Sequence, residues 1–85
     1  MDRRRLLRRL LQGHLQNVAF ADFCRLAEGF GFQPGRSRGS HQTFSHPSVP
    51  ELVNLQPFGG EAKPYQIRQF LRLVERYNLK LEDSP

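Results

Sequence analysis

The stretch Arg36-Ser37-Arg38-Gly39-Ser40-His41-Gln42-Thr43-Phe44-Ser45-His46-Pro47 concentrates the reactive side chains of this chain. It holds two arginines and two of the three histidines, and no acidic residue lies between Glu28 and Glu51. The local field is therefore positive and unopposed. Histidine takes up or releases a proton near neutral pH. A guanidinium holds a phosphate through two parallel hydrogen bonds, and the backbone N–H groups of a turn at Gly39-Ser40 add donors. Together these groups suit a phosphodiester. Cleaving RNA with protein groups requires a base for the ribose 2′-OH, an acid for the leaving 5′-oxygen, and cations where charge develops. His41 is the leading candidate for proton transfer, with Arg36, Arg38, Gly39 and Ser40 as phosphate contacts. The competing reading is a solvated hairpin whose histidine has no role.

Other chemistries fit less well. His41 and His46 stand five apart on opposite faces of a strand, and no nearby acid or thiol completes a metal site. Ser40 precedes His41 directly, so their side chains diverge, and no G-x-S-x-G elbow is present. The glycines match no dinucleotide or phosphate-loop pattern, and no cofactor is expected. One cysteine excludes an internal disulfide framework; Cys24, set among apolar residues at helical spacing, reads as a small buried hydrophobe. His14 reads as a solvated loop residue.

The net charge of +5 is unevenly placed. Residues 1–11 carry five arginines against Asp2, a balance of +4, while the remainder carries eight basic and seven acidic side chains, a balance of +1. A nucleic-acid argument must therefore rest on local distribution. At 85 residues the chain makes one small domain with a modest core. No apolar run is long enough to span a membrane, and Arg8-Arg9 interrupts the only leader-like segment, so the cytoplasm is expected.

The positioning elements follow from periodicity. Leu6, Leu7, Leu10 and Leu11 predict a short amphipathic helix ended at Gly13, too short to be stable without docking on its own domain or on a partner. Residues 1–16 are read as this helical arm with its connector, and residues 17–85 as the main domain. Phe20, Phe23, Leu26, Ala27 and Phe30 predict a helix over roughly 19–30, stopped by Gly31. Its N-cap is open between Asn17 and Ala21.

Residues 32–38 predict a first strand, at a sheet edge or bulged because of Pro34-Gly35. A turn at Arg38-Gly39-Ser40 leads into a second strand, 40–46. Alternation there puts Gln42, Phe44 and His46 on one face and His41, Thr43 and Ser45 on the other. With Phe44 turned to the helices, His41 faces solvent. Pro47 and Pro50 bound a loop, a third strand runs over 52–56, and 57–60 is a connector. Lys63-Pro64 opens a last helix with Ile67, Phe70, Leu71 and Val74 on its apolar face. Tyr77 and Leu79 extend its packing, and 82–85 form a frayed tail. The expected fold is α+β: α-β-β-β-α, two helices covering one face of a three-stranded antiparallel sheet, plus the N-terminal arm.

These residues carry a family resemblance. Gly31-Phe32, Arg38-Gly39-Ser40-His41, Phe44, His46-Pro47, and Glu61-Ala62-Lys63-Pro64 followed by Ile67-Arg68 and Phe70-Leu71 resemble the HicA (YcfA-like) mRNA interferase toxins over roughly residues 19–79. The resemblance implies a double-stranded-RNA-binding-domain-like fold and a toxin that cleaves mRNA. The histidine of the glycine-serine-histidine turn, here His41, would be tied to cleavage, and a HicB-type antitoxin would cover the site. Gln42 and Phe58 stand where many members have further histidines. Lys63 is a weaker candidate for phosphate contact. The rival expectations are a non-catalytic RNA-binding module and a protein-interaction domain that docks through the arm.

Overall fold

The computed structural model describes residues 2–82, with elements α1 (Arg3–Leu11), α2 (Phe20–Gly29), β1 (Gln33–Arg38), β2 (His41–His46), β3 (Val49–Leu55), β4 (Pro57–Phe58), β5 (Glu61–Ala62) and α3 (Pro64–Arg76). The expected α-β-β-β-α order is present, preceded by α1. Strands β1-β2-β3 form an antiparallel sheet with β2 central.

The core follows from the aromatic and aliphatic periodicities. Phe23 and Phe30 of the α2 region, Phe32, and Phe70 of α3 meet ring against ring at centroid distances of 5.3–5.7 Å. Such edge and tilted contacts add to the free energy of burying the rings. Phe44, Val53 and Leu55 enter the same core from the sheet. Leu6 and Leu10 are 1% and 2% exposed, so α1 packs against its own domain, chiefly on α2. That docking removes the instability of an isolated nine-residue helix.

All three described helices close alike. At each C-terminus a residue with positive φ (Gly13, Gly31, Asn78) follows the cap. The next backbone N–H then reaches back to the carbonyl five residues earlier: His14 to Arg9, Phe32 to Ala27, and Leu79 to Val74. These are Schellman closures, which satisfy carbonyls that a helix end leaves bare. The helix starts are less regular. The N-cap of α2 is Ala19, neither of the residues considered from sequence, and its side chain contributes no cap. The Phe20 N–H is instead satisfied by the Gly60 carbonyl at 2.9 Å.

The strands and the tail depart from expectation in four places. First, β1 begins at Gln33, because Phe32 belongs to the α2 closure and is buried. Second, β3 runs Val49–Leu55 rather than 52–56. Pro50 is tolerated because β3 is an edge strand and two extra residues loop out between Val49 and Val53. Third, residues 57–60 are not a plain connector. Pro57↔Ala62 and Phe58↔Glu61 pair as a small hairpin turned by Gly59 and Gly60, both at positive φ, as a type I′ turn requires. Fourth, of the tail expected from Glu82, residues 83–85 lie outside the described residues. Glu82 itself is tied down, its N–H donating to the Gly29 carbonyl at 2.7 Å.

Candidate functional site: an arginine–histidine cleft

Gly39 (φ +61°) and Ser40 form a two-residue turn that makes Arg38 and His41 cross-strand partners. Glycine at the first turn position with positive φ matches the type II′ hairpin, whose twist suits the flanking strands. Phe44 is buried and pins the face of β2; His41, three residues before it, is exposed on the opposite face, as alternation demands.

Register then decides where the arginines go. At the start of β1, Pro34 pairs with Phe44, whereas further on Ser37 pairs with Gln42 and Arg38 with His41. One extra residue is therefore absorbed on β1 between Pro34 and Ser37. Without it, Arg36 would fall opposite Gln42 and Arg38 opposite Ser40, on the face of Phe44. A single-residue shift moves every later side chain across the sheet. The bulge thus places both arginines on His41's side, and Gln42 Nε2 donates to the bulge carbonyl of Gly35 at 3.3 Å.

Arg36, Arg38, His41, Thr43 and Asn54 line one shallow open cleft. Thr43 Oγ1 donates to Asn54 Oδ1 at 2.8 Å, which leaves the Asn54 amide nitrogen as a neutral donor beside the cations. Gly39 and Ser40 form the exposed turn at the head of the cleft. Lys63 does not line it. Its Nζ donates to Gln56 Oε1 at 3.3 Å, and it sits in a separate depression with Phe58, Glu61 and Tyr65. Thr43, Asn54 and Gln42 were missed as site residues. Alternation had put Thr43 on the His41 face, but Asn54 and the bulge contact of Gln42 depend on pairings that one strand does not reveal.

His46 and Cys24 are held by other parts of the fold, while His14 is exposed in the α1–α2 connector. His46 is half-buried: its Nε2 meets the Phe30 carbonyl at 3.0 Å, its Nδ1 accepts from Ser48 N–H at 3.0 Å, and its ring packs on Phe32. The tautomer satisfying both bonds carries its proton on Nε2, so His46 ties β2 to the end of α2. Cys24 is half-buried, and desolvation, helped by the Glu28 carboxylate, pushes its thiol up to about 11. Among the described residues no group of three or more His, Cys, Asp or Glu side chains is arranged to hold a metal ion. No described helix is long and apolar enough to cross a membrane.

No curated protein and no solved structure matches the chain. A family model does: that of the HicA toxin of bacterial toxin–antitoxin systems, over residues 20–75. The matched span takes in α2, the whole sheet, the small hairpin and nearly all of α3, and leaves α1 outside. With well over half of its 85 residues matched by that model, and with the element order the family resemblance implied, the chain belongs to the HicA toxin family, the toxin half of toxin–antitoxin pairs.

Proposed function

We propose that the chain is an mRNA-cleaving endoribonuclease in which His41 transfers a proton and Arg36 and Arg38 hold the scissile phosphate. The supporting observation is that a β-bulge brings both arginines to the face of an exposed histidine, in one cleft open to an extended strand. In this mechanism the ribose 2′-oxygen attacks the adjacent phosphorus as its proton leaves. The bond to the 5′-oxygen breaks, and that oxygen is protonated. His41 serves as the general base or the general acid, and no metal ion takes part. The products are a 2′,3′-cyclic phosphate and a 5′-hydroxyl. The guanidinium groups and the Asn54 amide stabilise charge on the phosphate oxygens as it develops. Gly39 and Ser40 contribute backbone donors at the turn, and Lys63 supplies a more distant cation. The family's antitoxin partner, of HicB type, would neutralise the toxin by covering this cleft, and both would act in the cytoplasm.

The test is induction of the parent chain and of His41→Ala in a bacterial host, following growth, a reporter mRNA and the ends of the fragments. Growth arrest with cyclic-phosphate ends, absent from an equally folded His41→Ala, is the expected result. RNA binding without cleavage by the parent chain would replace this reading with a non-catalytic binding module.

A further inference from the structure

Four large hydrophobic side chains are strongly exposed among the described residues: Leu11, Leu52, Phe58 and Tyr65. The two aromatic ones lie together. Phe58, 79% exposed, stands on β4, and Tyr65, 51% exposed, opens α3; both line the depression that contains Lys63. Burial in the core accounts for neither ring.

Chain connectivity holds this depression near the His41 end of the sheet. Strand β3 runs antiparallel to β2, so the C-terminal end of β3 lies at the His41 end of the sheet, where Gln42 pairs with Leu55. The β4–β5 hairpin starts two residues later, and Gln56 between them receives the Lys63 hydrogen bond. Asn54 lines the cleft and Phe58 the depression. At ~3.3 Å per residue their Cα atoms are at most about 13–14 Å apart. Phe58 and Glu61 are cross-strand partners and project from the same face of the hairpin. A carboxylate there repels a phosphate but accepts from the amino group of a base. Exposed rings with a lysine and an acceptor suit an unpaired nucleobase, since every base has a face that stacks on an aromatic side chain.

We propose that Phe58 and Tyr65 form a base-stacking subsite for single-stranded RNA, flanking the cleft and anchored by Lys63; this rests on the ribonuclease reading above. Duplex RNA keeps its bases stacked internally and gains nothing from the rings. The subsite therefore selects unpaired RNA for the cleft.

The test uses the full chain carrying His41→Ala, so that RNA is bound and not cut. Its affinity for a labelled single-stranded oligonucleotide and for a blunt-ended duplex RNA of equal length is measured by fluorescence anisotropy. Phe58→Leu with Tyr65→Leu, which keeps apolar bulk and removes the rings, should weaken single-strand binding about tenfold or more and leave duplex binding unchanged. Phe58→Trp should retain or tighten it. Circular dichroism confirms that the variants fold. If Arg36→Ala with Arg38→Ala weakens binding while the leucine pair does not, the subsite is overturned and the phosphate cleft stands. Equal losses on both RNAs also overturn it. If the chain binds neither RNA, both readings fall together.

Discussion

At the scale of single residues, what matters is which reactive groups are exposed and which are put out of use. The chain has three histidines and a cysteine, and the fold treats them differently. His46 is consumed by two hydrogen bonds and a ring contact, while His41 is left open beside two guanidinium groups. Cys24 is withheld by desolvation, which favours the neutral thiol. Its folded pKa, about 11, exceeds the ordinary thiol value of 9.0. The thiol therefore contributes stability that is fully present below about pH 9 and is lost as pH rises towards 11. Tyr77, whose hydroxyl donates to Glu51 at 2.7 Å and is raised chiefly by that bond, loses stability in the same direction at alkaline pH. The two are separated by comparison with Cys24→Ala. That variant should lose less stability than the parent between pH 9 and 11 in denaturant titrations. Native Cys24 should also react with iodoacetamide near pH 8 far more slowly than in the unfolded chain.

At the scale of elements, α1 is an integral part of the fold. Leu10 is 2% exposed, and Leu→Ala changes in such positions cost about 2–5 kcal/mol through lost transfer free energy and the cavity left behind. Leu10→Ala should lower the urea midpoint by a corresponding amount without altering the slope. Leu11→Ala, at a position 67% exposed, should change it little. The helices were legible in the sequence because their apolar residues repeat at a helical period and their ends carry glycine or proline. Phe44 made β2 legible too, since one large aromatic in an alternating segment fixes which face is inside. The face of Arg36 was not legible. The Pro34-Gly35 pair suggested an edge or bulged strand, but which residue a bulge absorbs depends on the partner strand and on Phe32 being held in the core. The β4–β5 hairpin was hidden for a similar reason. Two-residue strands carry no periodicity, and Gly59-Gly60 reads equally as a turn or a loose connector. The N-cap of α2 escaped because the Gly60 carbonyl that satisfies it lies forty residues away.

At the scale of the whole molecule, seven of the thirteen basic side chains stand in two groups, five arginines on the arm and two in the cleft. Part of the arm's set is engaged internally: Arg3 Nε donates to the Arg25 carbonyl at 2.7 Å, and Arg9 Nη2 donates to the Gln16 carbonyl. Each phosphate neutralised contributes to the fall of affinity with salt, by about 0.7 in the logarithmic slope for a single strand. Arg36→Ala with Arg38→Ala, in the His41→Ala background, should therefore reduce that slope by about 1.4. An unchanged slope would place the electrostatic contacts outside the cleft. The two outer strands also bear on how the molecule meets others. Strands β1 and β3 each expose an edge, and each carries a proline and a break in register. Proline removes a donor and a bulge bends the ladder, so neither edge offers the flat row of amides on which a foreign strand could grow. Copies of this chain are thereby discouraged from polymerising edge to edge. The same two features disfavour an antitoxin partner that would add a strand to either edge.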